Sequence, residues 1–120
     1  RTTDKQLLES ILVPESLNIS TSELEGGAIR FTTLTYGNMI DALTRPGRSA
    51  IERAWDETIL IRGNIAIFWA PYDFHVDGKF SHCGVDSFQL IKEGGKWMIS
   101  NASWTREIEN CQKSPLGALD

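Results

Sequence analysis

The sequence has no long hydrophobic run and no concentration of basic residues. No apolar stretch approaches the roughly 20 residues that a membrane-spanning helix requires, so we expect no membrane partner. The 120 residues carry a formal net charge of −4. Nucleic-acid binding needs a basic face, so we expect no nucleic-acid partner. The composition, 41% hydrophobic and 23% charged, is ordinary for one soluble globular domain that spans residues 1–120.

The sequence also lacks an initiating methionine, because it begins at Arg1. Removal of a signal peptide from a longer chain would explain this start. We therefore expect a soluble domain that is either cytoplasmic or, if such a peptide was removed, secreted or periplasmic.

Residues that cross-link chains or hold metals are few. The two cysteines, Cys83 and Cys111, are too few for a disulfide scaffold and lack the spacing of a metal site. They are either two free thiols or a single bridge that ties the C-terminal tail to the sheet. Asp73, His75 and His82 have side chains that metal sites use, but no spacing signature accompanies them. We expect neither a metal nor a cofactor.

Two short helices are predicted in the first half of the chain. The first spans Thr3–Val13, where apolar residues recur at helical spacing and Pro14 ends the helix. The second begins after Thr35, whose hydroxyl suits a helix N-cap. The segment Ser49–Glu57 also has a local helical pattern, but a strand follows it directly. We predict that this segment is extended.

The rest of the sequence alternates apolar and polar residues and predicts β-strands. Short strands are expected at residues 16–23, 29–33 and 58–62, and three long ones follow: Ile65–Val76, Lys79–Glu93 and Lys96–Glu107. The Asp-Gly dipeptide at 77–78 and the Gly-Gly dipeptide at 94–95 suit two-residue hairpin turns. A bend is expected at Ala70-Pro71. Helices followed by a meander of strands predict an α+β domain with the helices on one face of an antiparallel sheet.

The two tight turns predict which residues face each other across the long strands. They place Asp73 opposite His82 and Phe88 opposite Asn101. One face of the sheet then gathers carboxylates, imidazoles and an amide beside apolar side chains, which is the composition of a ligand pocket. The predicted pocket residues are Trp69, His75, Phe80, Asp86, Phe88 and Asn101.

The predicted Asp73–His82 pair is the sharpest chemical candidate. A carboxylate that accepts a hydrogen bond from an imidazole orients the ring and leaves the other nitrogen as an acid or base near neutrality. Such a pair suits proton abstraction beside a carbonyl, dehydration or the opening of a strained ring. The alternative is an ordinary cross-strand polar pair without a chemical role.

The opposite face of the predicted sheet, which includes Phe74 and Val85, is too apolar to face water. It predicts a partner subunit or a covering segment. A charge placed at either residue is expected to break a dimer that forms through this face.

Three segments carry a family resemblance: WDETILIRGNIAIFWAPYDFHVDGKFSHCGVDSFQL, GGKWMISNASWTRE and CQKSPLGAL. The chain resembles the nuclear transport factor 2-like superfamily, in an unassigned bacterial branch similar to the polyketide-cyclase-like and lumazine-binding-like families. The resemblance implies a cone-shaped, strongly bent antiparallel sheet wrapped around N-terminal helices, a cystatin-like roll. It also implies a pocket at the open end and a homodimer formed through the sheet. Members usually begin with a long helix, so either an N-terminal helix has been removed here or the cone is open.

Three classes of function follow from these features. The first is a small-molecule-binding domain with a pocket for a small apolar or cyclic ligand. The second is a cofactor-independent lyase or isomerase, of the dehydratase or cyclase type, that uses Asp73 and His82 as its acid–base pair. The third is a dimeric association module that uses the cone only as a scaffold.

Overall fold

The computed structural model describes residues 5–117, with side chains from Leu8 onward. The predicted start of the first helix, Thr3, lies outside the described residues. The helices are α1 (Lys5–Ile11) and α2 (Tyr36–Leu43), and the strands are β1 (Leu17–Glu23), β2 (Ile29–Thr35), β3 (Ala50–Ala54), β4 (Thr58–Arg62), β5 (Ile65–Val76), β6 (Lys79–Glu93) and β7 (Lys96–Arg106). Neither described helix has the length and apolar character needed to span a membrane.

The strands form one curved, unclosed sheet in the order β2-β1-β7-β6-β5-β3, with β4 also paired to β5. All neighbouring strands are antiparallel except β1 and β7, which are parallel. The predicted α+β class with a strongly bent sheet is confirmed. Both helices belong to one side of this sheet: α1 contacts β7, and α2 contacts β1 and β2.

The predicted cap of α2 is present and is reciprocal. The Thr35 hydroxyl accepts from the backbone N–H of Asn38 at 3.3 Å, and the Asn38 side-chain oxygen accepts from the Thr35 N–H at 3.4 Å. This pair satisfies two donors that the first turn of a helix leaves free. The cap therefore begins α2 directly at the end of β2, which brings the helix back over the sheet.

The predicted extension of Ser49–Glu57 is confirmed for Ala50–Ala54, which form β3. Pairing of all five residues with β5 outweighs the local helical preference, as tertiary contacts commonly do. β3 and β4 follow the same edge of β5 and are separated beside Pro71, where the Trp55 N–H donates to the Pro71 carbonyl at 3.3 Å. β5 itself continues through Pro71, so the interruption lies in the neighbouring strand.

The predicted pairing along β5 and β6 is correct at the turn and wrong beyond it. His75 faces Phe80 as expected, but the register then shifts and Ser81 is skipped. Phe74 therefore faces His82, and Asp73 faces Cys83. Because side chains alternate between the two faces of a strand, this one-residue bulge places Asp73 and His82 on opposite faces of the sheet.

A second bulge shifts the pairing of β6 and β7. The register changes between Gln89 and Leu90, and Ser100 is skipped. Phe88 therefore faces Ala102, and Asn101 faces Gln89 instead of Phe88. The Ser100 hydroxyl donates to the Gln89 carbonyl at 3.1 Å, which satisfies one polar group at the irregularity. This bulge turns Ala102 toward the concave face of the curved sheet, the face on the side of the helices, and turns Asn101 away from it.

A disulfide joins Cys83 on β6 to Cys111 beyond β7, with 5.8 Å between their Cα atoms. Of the two interpretations left open by the sequence, the bridge is the one that the structure contains. Next to it, Cys83 and Glu107 exchange two backbone hydrogen bonds, each 2.8 Å long. The segment that follows β7 is thus tied to the middle of the sheet.

Candidate functional site: an apolar cavity with a buried carboxyl pair

A cavity of about 360 Å³ lies between the helices and the concave face of the sheet. Its size falls within the range of small-molecule sites. The walls are mostly apolar and include Leu12, Met39, Leu43, Phe74, Phe88 and Trp104. Phe74 packs in a buried cluster with Ala50 and Tyr72, so this wall is part of the hydrophobic core and not a loose surface. The wall of the cavity is therefore formed in part by the packed core of the fold.

Two carboxyl groups meet at this cavity, Glu52 from β3 and Asp86 from β6, and they are hydrogen-bonded to each other. Desolvation raises the pKa of Asp86 far above its usual range, and the hydrogen bond and repulsion from Glu52 raise it further. Glu52 is exposed as a residue, yet the protein atoms around its carboxyl group desolvate it and raise its pKa. The pair therefore holds a proton at neutral pH, since two like charges in contact cannot both ionise.

His82 lies on the same face as the carboxyl pair. Its ring stacks on Phe74, with the ring centroids 4.9 Å apart, and meets Tyr72 edge-on at 5.7 Å. Desolvation, with repulsion from Arg106, lowers the pKa of His82 to about 4. The Nδ1 atom lies 3.1 Å from the Ser81 hydroxyl. His82 is thus a neutral imidazole at physiological pH.

Tyr72 is held by the backbone of β7. Its hydroxyl donates to the Thr105 carbonyl at 2.6 Å. Opposite Tyr72 on β6 is Gly84, where an added Cβ would collide with the Thr105 carbonyl oxygen, so glycine permits this close approach. Desolvation, with repulsion from Asp86 and Glu52, raises the pKa of Tyr72. Tyr72 is therefore a neutral, fixed wall residue.

A different cluster occupies the other face of the same strands. Arg53 donates two hydrogen bonds to Asp73, at 2.9 and 2.7 Å, and the Nε2 atom of His75 lies 3.4 Å from the same carboxylate. Burial by itself would raise the pKa of Asp73, but the hydrogen bonds and charge of Arg53, together with His75, hold it below its usual value. Asp73 is therefore a charged carboxylate that forms an ion pair with Arg53.

The structure separates the residues that the sequence grouped together. His82, Asp86 and Phe88 line the cavity, whereas Asp73 and His75 are buried on the opposite face. Trp69 and Phe80, about half exposed, and Asn101, also exposed, lie outside the cavity. The predicted Asp73–His82 contact is wrong because of the bulge at Ser81. Ligand binding by any of these residues stays a prediction.

Six polar cavity residues were not found from the sequence: Arg45, Arg48, Glu52, Tyr72, Ser81 and Arg106. The period-two alternation of β3 could have placed Glu52 on a face of the strand. Ala50, Glu52 and Ala54 share one face, and Ile51 and Arg53 share the other. Tyr72 and Arg106 could not be placed without the two bulges. Within residues 5–117, no group of three or more His, Cys, Asp or Glu side chains could hold a metal ion.

No protein-family profile and no curated protein matches this sequence. Among solved structures, an NTF2-like protein from Cytophaga hutchinsonii superimposes with a TM-score of 0.68 over 86% of this chain and 82% of that chain, at 17% identity. This chain has the nuclear transport factor 2-like (NTF2-like) fold. The resemblance that the sequence indicated is confirmed at the level of the fold.

Two further structures support the NTF2-like assignment. Nuclear transport factor 2 from Cryptosporidium parvum matches with a TM-score of 0.62 and 17% identity, over 88% of this chain and 82% of that chain. A protein with a cystatin-like fold from Nostoc punctiforme matches with a TM-score of 0.62 and 10% identity, over 95% of this chain and 81% of that one. At such identities the likeness establishes the NTF2-like fold and not an activity.

Proposed function

We propose that this NTF2-like domain binds a small ligand with an apolar or cyclic body in the cavity between its helices and the concave face. The observation that supports this proposal is a cavity of about 360 Å³ with mostly apolar walls and a proton-holding carboxyl pair. Small-molecule sites combine those two properties, because apolar walls supply affinity and a few polar groups supply orientation.

The ligand would be oriented by the carboxyl pair. The retained proton lies in the hydrogen bond between Glu52 and Asp86, so the outer oxygens of the pair accept and suit a hydroxyl or amide donor on the ligand. Phe88 and Trp104 line the cavity and would pack against a ring. His82, neutral at physiological pH, offers a further polar contact without a charge.

Binding of a neutral bicyclic probe, 2-naphthamide, tests this proposal by fluorescence titration. Ala102 is buried in the cavity wall, whereas its neighbour Ser103 is exposed and outside the cavity. We expect Ala102→Leu to weaken binding about tenfold or more, because the added methyl groups occupy ligand space, and the matched control Ser103→Leu to leave it unchanged.

A second cavity-wall variant tests the proposal if Ala102→Leu does not fold. Ala42 on α2 is only partly buried and also lines the cavity, so Ala42→Leu should weaken binding with less strain on the sheet. Circular dichroism checks the fold of each variant. Failure of the wild type to bind either 2-naphthamide or its anionic analogue 2-naphthoate, or equal binding by the wall variants and Ser103→Leu, would contradict the proposal.

The proton-holding carboxyl pair also favours a second candidate, a cofactor-independent isomerase or lyase. In this candidate the acid–base pair is Glu52 and Asp86, because Asp73 is bound to Arg53 on the other face. A carboxyl with a raised pKa is suited to proton transfer near neutrality. Deuterium exchange into 2-tetralone in D₂O, followed by NMR, measures proton removal beside a carbonyl.

We expect exchange above the buffer rate in the wild type, its loss in Asp86→Asn, and its retention in Ser103→Leu. Exchange at only the buffer rate in the wild type would eliminate this second candidate while leaving ligand binding intact.

A third candidate, association with a second copy, is supported by an apolar patch at the far end of the sheet. Its members are between 44% and 64% exposed: Ile59, Leu60, Ile61, Ile65, Ile67 and Trp69. Within residues 5–117, β4 pairs only with β5, so its outer edge has free backbone groups. Such an edge is a template for strand pairing.

The sequence of β4 suits a second copy of itself. Glu57 precedes the strand and Arg62 ends it, so antiparallel pairing centred between Ile59 and Leu60 would place Glu57 of one copy opposite Arg62 of the other at both ends. Phe74, expected in the dimer surface, lines the cavity instead. The substitution that introduces a charge to test dimer formation is therefore placed in β4.

Sedimentation velocity tests this arrangement. We expect a wild-type dimer that dissociates in Leu60→Glu and persists in Thr33→Glu, which alters the opposite edge strand. A monomeric wild type, or a dimer that survives Leu60→Glu, would count against association through β4.

A further inference from the structure

Three arginines from two regions of the chain line the cavity. Arg45 and Arg48 follow α2, and Arg106 ends β7. This concentration of positive charge contrasts with the formal net charge of −4 for the whole chain. Arg45 and Arg106 are exposed, so water solvates them, whereas Arg48 is partly buried. The Arg48 guanidinium is therefore the group that most needs a partner from the protein or from a ligand.

Arg48 is the best fixed of the three. One of its terminal nitrogens donates to the Ala42 carbonyl in the last turn of α2, where helical carbonyls have no intrahelical partner. Its Nε atom is buried and has no hydrogen-bond partner among the described residues. A buried donor without a partner is costly, and folded proteins rarely leave one unless something else supplies the acceptor.

The charges around the cavity leave these arginines uncompensated. Among residues 5–117, no carboxylate lies within ion-pair distance of Arg45, Arg48 or Arg106. The Glu52–Asp86 pair retains a proton and so carries at most one negative charge. Three positive groups thus outnumber it.

We propose that the ligand is an amphipathic organic carboxylate, whose apolar body fills the cavity and whose carboxylate is received by Arg48, with Arg45 and Arg106 adding positive charge. This inference rests on the proposed binding function and narrows its ligand class. The carboxylate would accept from the guanidinium of Arg48, which lines the cavity, in a charge-assisted hydrogen bond that is stronger than a neutral one. The planar guanidinium, already held by the Ala42 carbonyl, loses little freedom on binding.

The same ligand would use both polar ends of the cavity. Its carboxylate would lie with the arginines, while any hydroxyl group would lie with Glu52 and Asp86, whose outer oxygens accept. A neutral amide of the same shape would offer Arg48 only an uncharged acceptor, so the proposal predicts discrimination by charge more than by shape.

A matched pair of probes tests this inference: 2-naphthoate, which is anionic, and 2-naphthamide, which is neutral and nearly identical in shape. We expect the wild type to bind 2-naphthoate about tenfold or more tightly than 2-naphthamide in fluorescence titrations. Arg48→Gln should reduce the affinity for 2-naphthoate about tenfold more than that for 2-naphthamide. The matched control, Arg30→Gln, removes an exposed arginine on β2 outside the cavity and should leave both affinities unchanged.

Two further variants separate charge from geometry. Arg48→Lys keeps the charge but removes the Nε–H fork, and we expect it to restore only part of the preference. Arg106→Gln removes charge without disturbing the bond to Ala42, so it tests the inference if Arg48→Gln does not fold. It should also reduce the preference for 2-naphthoate.

The outcomes distinguish this inference from the function on which it rests. Equal wild-type affinities for the two probes would overturn the carboxylate inference and leave ligand binding standing. A preference that is unchanged in both Arg48→Gln and Arg106→Gln would overturn it as well. Failure of both probes to bind would contradict the binding function and, with it, this inference.

Discussion

Two buried aspartates on opposite faces of the sheet have opposite chemistry. Asp73 on the outer face is 8% exposed and Asp86 on the cavity face is 3% exposed. Their burial is similar, but the pKa of Asp73 is lowered and that of Asp86 is raised. Desolvation favours the neutral form of both carboxyl groups and is the largest cause of the raised pKa of Asp86, to which the second carboxyl adds. At Asp73 the guanidinium of Arg53 outweighs desolvation and favours the charged form.

The two partners are consecutive residues of β3. Arg53 reaches Asp73 on one face, and Glu52 reaches Asp86 on the other. The alternation of a single strand therefore supplies one ion pair and one proton-sharing pair. The ion pair can only support the fold, whereas the proton-sharing pair faces a cavity and can serve a ligand.

The largest expected effect comes from breaking the outer pair. Arg53→Met leaves Asp73 buried without its cation, and we expect a loss of about 3 kcal/mol in the free energy of unfolding at pH 7. Urea denaturation measures this loss. The double variant Arg53→Met/Asp73→Leu should recover most of it, because no buried charge is then left alone.

Arg30→Met is the matched control for this change, since Arg30 is exposed on β2. A loss in Arg53→Met no greater than that in Arg30→Met would show that Asp73 is solvated and that the outer pair does not support the fold.

A smaller effect is expected from His82, whose pKa of about 4 in the folded protein lies below the ordinary histidine value of 6.5. The folded protein then binds this proton less tightly than the unfolded chain, so the stability contribution is present above pH 6.5 and is lost as the pH falls toward 4. We expect wild type to lose roughly 2 kcal/mol more than His82→Gln between pH 7 and pH 4.5.

The comparison of urea midpoints for wild type and His82→Gln across this range isolates the histidine, because the carboxyl groups are common to both proteins. Parallel curves for the two proteins would mean that His82 is not desolvated by the cavity wall.

The smallest effect is expected from the Glu52–Asp86 pair, and its sign is opposite. Its raised pKa means that the folded protein holds the proton more tightly than the unfolded chain does. The stability contribution is therefore complete below the ordinary carboxyl range and declines as the pH rises. We expect wild type to lose on the order of 1 kcal/mol more than Asp86→Asn between pH 5 and pH 6, because His82 titrates in both proteins alike and cancels from the difference.

Chemical denaturation at these two pH values measures the difference. The isosteric Asp73→Asn should not flatten the curve, because its carboxylate titrates below this window. Identical losses in wild type and Asp86→Asn would argue that the two carboxyl groups do not share a proton.

Much of the fold could be predicted from local chemistry. The Asp-Gly and Gly-Gly turns, the Thr35 cap and the extents of the three long strands all agree with the structure within one residue. These features depend on the preferences of a few adjacent residues. The extended state of Ser49–Glu57 was harder to predict, because its local pattern is helical. Only pairing with β5 favours the strand over the helix.

The candidate site was predicted less well. Asp86, Phe88 and His82 line the cavity as grouped, but Asp73 and His75 do not, and Glu52 was missed. The error comes from the bulges at Ser81 and Ser100, which no turn dipeptide encodes. Each bulge inverts the faces of all residues beyond it, so a correct turn still gave a wrong neighbour.

The sequence by itself determined where the strands begin and turn, where the second helix is capped, and which two cysteines could be joined. Only the tertiary structure decided which side chains share a face. The physical reason is that side chains alternate between the two faces of a strand with a period of two. One skipped residue therefore moves every side chain beyond it to the other face of the sheet. The charge state of each carboxyl depends on a neighbour from another strand, and that neighbour is known only once the register is known.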